Sequence, residues 1–160
     1  MSMELWVFSD MQLNSIPEWQ KAIDAEGYPL KFTDEISFQE LQGFLPVQLR
    51  GEKTGFECYH DDAGELIRSN SDINFGHAWN FVLGFRWVGS SLNELRAAWM
   101  AGTAYAQATD GMIFDGQEGK FRNAMEAREV VRDVEREVPD TDWVVDKVLR
   151  DLKLGPYRET

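Results

Sequence analysis

The sequence has 160 residues, 43% of them hydrophobic and 28% charged, a length and composition typical of one globular domain with a substantial core. Its 28 acidic residues exceed its 16 basic ones and give a formal charge of -12 at pH 7. This excess opposes binding to nucleic acid or anionic membranes, which requires clustered Lys and Arg, and it favours a basic protein or a cation as partner unless it serves only solubility.

Local signals in the first half of the chain predict alternating strands and helices. The run ELWVF is apolar on both faces, which predicts a central strand. Ser15 and Ser37 each precede a glutamate by three residues, and this capping box marks a helix start because the two side chains satisfy free backbone N–H groups. In chain order we expect a strand at 4–8, a helix at 16–26, a strand at 29–32, a helix at 38–43 and a strand at 54–60.

The second half of the chain repeats these signals. Ser91 and Asn123 begin two further capping boxes, and residues 78–88 are rich in the aromatic side chains that strands favour. In chain order we expect a strand at 78–88, a helix at 92–109, a strand at 111–115 with a short return strand at 120–122, and helices at 124–137 and 141–153.

The resulting order of elements is β-α-β-α-β-β-α-β-α-α. It predicts a single α+β domain spanning residues 1–160, a sandwich in which helices pack on a largely antiparallel sheet. A ferredoxin-like arrangement is one candidate topology.

The single cysteine, Cys58, excludes a disulfide within the chain and is typical of a reducing compartment. The N-terminal residues lack the basic cluster and the apolar run of a secretion signal. No stretch approaches the roughly 20 apolar residues that cross a membrane. We therefore expect a cytoplasmic protein.

Residues 55–79 contain both histidines of the chain. If strands 54–60 and 78–88 pair, His60 would lie near His77, and carboxylates from Asp62 and Asp72 would complete a ligand set suited to zinc, manganese or iron. The spacing matches no established metal motif, and the same residue types are typical of an exposed turn. The expectation is therefore no cofactor, with a divalent metal such as zinc or manganese as the alternative.

Two further groups are weak candidates for catalysis. Cys58 and His60 share one face of a strand, which could generate a thiolate nucleophile, but Phe56 on that face indicates a buried cysteine. Asp115 and Glu118, with Asp110 nearby, could perform acid–base chemistry. The glycines that follow Asp115 indicate instead a strand that ends in a tight turn.

Candidate binding residues lie on two strands and in the loop predicted at 61–76. Arg86 lies among small residues on one face of the strand at 78–88, where it could anchor a carboxylate of a partner or pair with a local acid. Tyr59, Asp61 and Asp62 complete this set of candidate binding residues.

Two segments, GFLPVQLRGEKTGFE at 43–57 and AYAQATDGMIFDGQEG at 104–119, resemble parts of a bacterial protein family of unknown function. In size, charge and aromatic content the chain is also similar to small acidic immunity proteins, which neutralise a co-produced toxin in the cytoplasm. That similarity implies a basic protein as the partner.

Three functional hypotheses follow. The first is a non-enzymatic acidic module that binds a basic protein through aromatic anchors within a polar rim. The second is a small metal-dependent hydrolase built on the His60, Asp62, Asp72 and His77 cluster. The third is a housekeeping scaffold or homo-oligomer.

Overall fold

The computed structural model describes residues 2–136, so the helix predicted at 141–153 lies outside the described residues. Within them the chain forms strands, helices and one 3-10 turn. The strands are β1 (Ser2–Ser9), β2 (Leu30–Phe32), β3 (Gln42–Leu49), β4 (Glu52–Asp61), β5 (Phe81–Val88), β6 (Met112–Asp115) and β7 (Lys120–Arg122). The helices are α1 (Ile16–Ala25), α2 (Ala63–Ser69), α3 (Leu92–Thr109) and α4 (Ala124–Arg136), and the 3-10 turn is Phe38–Glu40.

The strands form one sheet in the order β2-β3-β4-β5-β1-β6-β7, and every pairing is antiparallel. The fold is therefore α+β with an antiparallel sheet, as the sequence predicts. The central strands β4-β5-β1-β6 form two split βαβ units with α1 and α3, because β5 lies between β1 and β4 and β1 lies between β5 and β6. This arrangement matches the ferredoxin-like candidate topology, with β2 and β3 added at one edge of the sheet and β7 at the other.

One face of the sheet carries the main core, beneath α1, α3 and α4. Trp19 lies at its centre, with its indole N–H donating to the Ala101 carbonyl at 3.0 Å and its edges against Phe85 and Tyr105. α3 approaches the sheet closely because Gly102 has no side chain: a Cβ there would lie 3.2 Å from Leu5 Cδ1. No helix among the described residues is long and apolar enough to cross a membrane.

The other face of the sheet is only partly covered. α2 and the segment after it pack Ala63 and Phe75 against Phe8, Val82 and Phe114, which forms a second and smaller core. The rest of this face, formed mainly by β3, β4 and β5, has no described helix packed on it. It is the only broad sheet surface left open within residues 2–136.

Three of the four predicted helix starts have the expected N-cap, and at Asn123 the capping box is complete because Glu126 accepts from the Asn123 N–H. Glu18 and Glu94 accept instead from the N–H groups of Asn14 and Val88. The side chains of Ser15, Ser91 and Asn123 each accept a hydrogen bond from the backbone N–H three residues on. Ser37 makes no such bond, and the helix predicted at 38–43 is wrong apart from its 3-10 turn. The chain extends instead into β3, which the sequence analysis does not predict.

Candidate functional site

The four predicted metal ligands do not converge. His60 Nε2 lies 2.7 Å from the Phe38 carbonyl on the main core side of the sheet. His77 Nε2 lies 2.9 Å from an Asp10 carboxylate oxygen, and its ring packs on Trp79, which belongs to the smaller core on the opposite face. Within residues 2–136 no three His, Cys, Asp or Glu side chains are arranged to hold a metal ion.

The two aspartates of that predicted cluster have separate positions. Asp62 is the N-cap of α2, where its carboxylate accepts from the Glu65 N–H at 3.0 Å. Asp72 is exposed and makes no ion pair with a described residue. The predicted His60, Asp62, Asp72 and His77 cluster is therefore wrong as a single site.

Cys58 is completely buried in the main core, and burial raises the pKa of its thiol. Its neighbour His60 shares the same strand face, as expected, but points its Nε2 at a backbone carbonyl. A thiol that is buried and protonated is a poor nucleophile. Cys58 is a core residue, and the nucleophile interpretation is wrong.

Asp115 and Glu118 are organised by a turn. One Asp115 oxygen accepts from the Gln117 N–H at 2.9 Å and the other lies 3.4 Å from the Arg122 guanidinium. The exposed Glu118 contacts the same guanidinium at 2.9 Å. Asp110 is the left-handed C-cap of α3, with φ of 53°. Each of these groups has a local structural role, in agreement with the turn interpretation.

The uncovered part of the second sheet face holds several of the predicted binding residues. We call this surface the open sheet face. It consists of Glu4 on β1, Phe44 on β3, Glu57, Tyr59 and Asp61 on β4, and Arg86 and Val88 on β5. Phe44 and Val88 are 60% and 51% exposed, so both contribute apolar surface to this face.

Strand register places a row of charges next to the exposed phenylalanine. Phe44 lies opposite Glu57, Glu57 opposite Arg86, and Arg86 opposite Glu4, so the row crosses four strands. Arg86 lies 3.5 Å from Glu4 and its guanidinium carbon lies 5.6 Å from the centre of the Tyr59 ring. Of the two alternatives for Arg86, pairing with a local acid is the one that the structure contains.

Two aromatic rings lie flat on this face because glycines stand beneath them. Phe44 covers Gly55, where a Cβ would lie 2.4 Å from Phe44 Cζ. Tyr59 covers Gly84, its cross-strand partner, at a corresponding distance of 2.6 Å. Partial burial raises the pKa of Tyr59, although the Trp6 indole and the Arg86 charge oppose this shift. The middle of the open sheet face is therefore formed by the aromatic rings of Phe44 and Tyr59.

A shallow cleft of about 730 Å³ lies at one end of the open sheet face. Phe44, Pro46 and Gly55 line it on the strands, and Asp34 and Glu94 line it from the segments on either side. Its volume lies in the range of roughly 300–1,000 Å³ that ligand and anchor pockets occupy.

Charges are distributed unevenly over the described residues. Several basic residues are engaged in ion pairs, such as Arg128 with Glu26 and Arg50 with Glu135, both at 2.7 Å. By contrast, several acidic side chains have neither an ion pair nor a side-chain hydrogen bond with any described residue. They are Asp34, Glu35, Glu40, Glu57, Asp61, Glu65, Asp72 and Asp110.

All but one of these unpaired acids lie between residues 34 and 72. This stretch contains nine acidic residues against three basic ones, and it supplies β3, β4 and α2. Of these unpaired acids, Glu57 and Asp61 lie on the open sheet face, and Lys53 on the same face of β4 lines its cleft.

The sequence matches no protein-family model, and no curated protein or solved structure is found to be similar to it. The resemblance to a bacterial family of unknown function and the similarity to acidic immunity proteins remain predictions.

Proposed function

We propose that the chain is a non-enzymatic protein-binding module whose open sheet face binds a basic protein. The observation that carries this proposal is that exposed aromatic surface and carboxylates without ion pairs occur together on one face. Phe44 is the most exposed large apolar side chain of the sheet, Glu57 lies opposite it on β4, and Asp61 lies four residues further along that strand. Aromatic anchors within a charged rim are typical of protein interfaces.

The partner is expected to lie on the face of the sheet and not to extend it. The N–H of Phe32 and the carbonyl of Leu30 in edge strand β2 are both engaged by the Gln20 side-chain amide, at 2.9 Å each. Further along the same edge, Pro46 has no N–H to offer to another strand. These features block strand addition at this edge.

Unpaired carboxylates favour a basic partner for kinetic reasons. Complementary charge accelerates the diffusional encounter of two proteins, and the effect weakens as salt rises. Tyr59, Asp61, Asp62 and Arg86 are the binding residues that we predict from sequence, and Phe44 and Glu57 join them on structural grounds. A cytoplasmic toxin that this protein neutralises is the partner class suggested by the similarity to acidic immunity proteins.

The proposal is tested by capture of the partner with matched variants. Tagged wild-type protein and the double variant Phe44→Ala/Glu57→Lys are used on native lysate, and any basic protein retained at near-equal stoichiometry is purified for kinetic measurement. We expect the double variant to bind at least tenfold more weakly. Met125→Ala is the control, because Met125 is equally apolar and 69% exposed but lies on α4.

Two results would contradict the proposal. One is a partner that binds the double variant as tightly as the wild type. The other is concentration-dependent self-association that Phe44→Ala abolishes, because the face would then be an interface between copies of this chain. A sizing column run at two protein concentrations separates that case from a true monomer.

A further inference from the structure

A second concave surface lies beside the open sheet face. It is a groove of about 620 Å³ between the first turns of α1 and the segment that follows β2. We call it the α1 groove. It is lined by Ile16, Pro17 and Gln20 from α1 and by residues 32–37.

The floor of the α1 groove is apolar because the hydrogen-bonding groups of Gln20, the polar side chain that α1 contributes, already have partners. The Gln20 amide oxygen accepts from the Phe32 N–H and its nitrogen donates to the Leu30 carbonyl. The part of Gln20 that remains to contact a ligand in the groove is therefore mainly its aliphatic chain. Ile16, Phe32 and Ile36 supply the remaining apolar wall, and such a surface favours an aliphatic or aromatic group.

The mouth of the α1 groove is acidic. Asp34 and Glu35 are exposed, and neither forms an ion pair with a described residue. Lys31, the basic residue nearest to them in sequence, is engaged by Asp24 at 2.9 Å. Lys21, one turn beyond Pro17 on α1, and Lys53, which lines the adjoining cleft with Asp34, form no ion pair with a described residue. A positively charged group at the mouth would therefore meet two uncompensated carboxylates.

The groove and the cleft of the open sheet face share a border. Thr33 and Asp34 line both of them, and the Thr33 hydroxyl donates to the Pro46 carbonyl at 3.3 Å, which ties this border to β3. A partner that covers Pro46 therefore lies next to the α1 groove, because only Thr33 and Asp34 separate the two surfaces.

We propose that the α1 groove is the second half of the binding surface and takes an apolar side chain flanked by Lys or Arg from the basic protein partner. The apolar side chain lies against Ile16 and Ile36, and the flanking cations pair with Asp34 and Glu35. This inference rests on the proposed function, since it assigns the chemistry of one segment of the same partner.

The test uses three defined peptides and needs no knowledge of the partner. Acetyl-Lys-Leu-Lys-amide is titrated into ¹⁵N-labelled protein while backbone amide shifts are followed, with acetyl-Glu-Leu-Glu-amide and acetyl-Lys-Gly-Lys-amide as comparisons. We expect the Lys-Leu-Lys peptide to give saturable shifts at residues 33–37 and to bind at least threefold more tightly than either comparison peptide. Equal shifts with all three peptides, or none at residues 33–37, would overturn the inference.

A charge-matched pair of variants completes the test. Asp34→Asn/Glu35→Gln should weaken binding of the Lys-Leu-Lys peptide at least threefold. Glu65→Gln/Asp72→Asn makes the same change of charge at two unpaired acids on and after α2, and it should leave the affinity unchanged. An equal loss in both double variants would show a general effect of charge and would overturn the groove as a site.

Failure of this inference is distinguishable from failure of the proposed function. If the peptide causes no amide shifts at residues 33–37 but Phe44→Ala/Glu57→Lys still weakens binding of the captured partner, the open sheet face alone is the interface. If the captured partner binds that double variant normally, the proposed function fails whatever the peptide does.

Discussion

The ring of Tyr59 lies so close over Gly84 that a methyl group at position 84 would be 2.6 Å from Tyr59 Cε2. A methyl group on Gly55 would meet Phe44 Cζ at 2.4 Å and also the Leu45 carbonyl oxygen at 2.6 Å. The two sites differ in one respect: at Gly84 only a side chain obstructs the methyl group, whereas at Gly55 the backbone does so as well.

This difference predicts unequal costs for two identical substitutions. In Gly84→Ala the partly exposed Tyr59 ring can move aside, and alanine restricts the unfolded chain more than glycine does, so we expect a change in unfolding free energy within about 1 kcal/mol. In Gly55→Ala the carbonyl of Leu45 is fixed in the strand, so we expect a loss of about 1–3 kcal/mol. Urea unfolding of both variants measures the contrast.

A spectroscopic control accompanies this comparison. Partial burial raises the pKa of Tyr59, so a ring displaced by Gly84→Ala should titrate closer to the ordinary tyrosine value. Tyr59→Phe identifies its signal. Equal stability losses at both glycines, or an unchanged Tyr59 titration in Gly84→Ala, would contradict the geometry.

The two histidines are predicted to act independently. His60 contacts the Phe38 carbonyl and His77 contacts Asp10, on opposite sides of the sheet. Groups without shared partners contribute additively, so the free-energy losses of His60→Ala and His77→Ala should sum in the double variant to within about 0.5 kcal/mol. Urea unfolding of the two single variants and the double variant tests this.

A metal shared by His60 and His77 would give a different result. Removing either ligand would then abolish most of the binding, so the double variant would lose little more than a single one. EDTA would also lower the Tm of the wild type but not of the variants. We expect EDTA to have no effect on the Tm of any of them.

Buried ionisable groups predict a loss of stability at alkaline pH. Burial raises the pKa of Tyr105 from 10.0 to about 12, and it raises the pKa of Cys58 above its ordinary 9.0. Both groups therefore remain protonated in the folded protein at pH values where the unfolded chain loses these protons. Their contribution is fully present below pH 9 and is lost as pH rises through the folded-state pKa values.

The measurement is the free energy of unfolding between pH 8 and about pH 11. Cys58→Ala should remove the part of the decline that begins near the thiol pKa of 9.0. Tyr105→Phe should remove only a share of the decline above the tyrosine pKa of 10.0, because burial also raises the pKa of Tyr28 to about 12. A wild-type stability that stays constant over this range would contradict the burial of both groups. Rapid reaction of the native Cys58 thiol with a thiol reagent at pH 8 would independently contradict the burial of Cys58.

The elements predicted correctly from sequence are those specified by local chemistry. N-caps at Ser15, Ser91 and Asn123 place three helix starts because the cap bonds involve only neighbouring residues. The missed strand β3 contains Gly43 and Pro46, which locally disfavour a strand. Pairing with β4 along its whole length overrides that preference, and such pairing is not visible in a local window.

In the candidate site, too, the correct predictions concern neighbouring residues and the missed features depend on long-range contacts. Alternation along β4 correctly places Cys58 and His60 on one face and Tyr59 on the other. The missed helix α2 places the segment that carries His77 on the opposite face from His60, which a direct hairpin would not do. The exposure of Phe44 depends on which strands lack a covering helix, and the sequence pattern carries no direct signal for that.

Arg86 provides the sharpest test of the partner's charge. The sequence interpretation leaves Arg86 as either an anchor for a carboxylate of the partner or the pair of a local acid, and the structure pairs it with Glu4. If the partner is basic, Arg86→Gln removes a positive charge from the open sheet face and frees Glu4 from its ion pair. We then expect association with the captured partner to be about two- to tenfold faster at low salt, and the gain to shrink as salt rises.

The control for Arg86→Gln is Arg132→Gln, which makes the same change of charge at an exposed position on α4, away from the open sheet face. It should change the association rate much less. A weaker complex with Arg86→Gln, caused by faster dissociation, would show that Arg86 contacts an acidic group of the partner. In that case the anchor interpretation would hold, and a basic partner at this position of the face would be wrong.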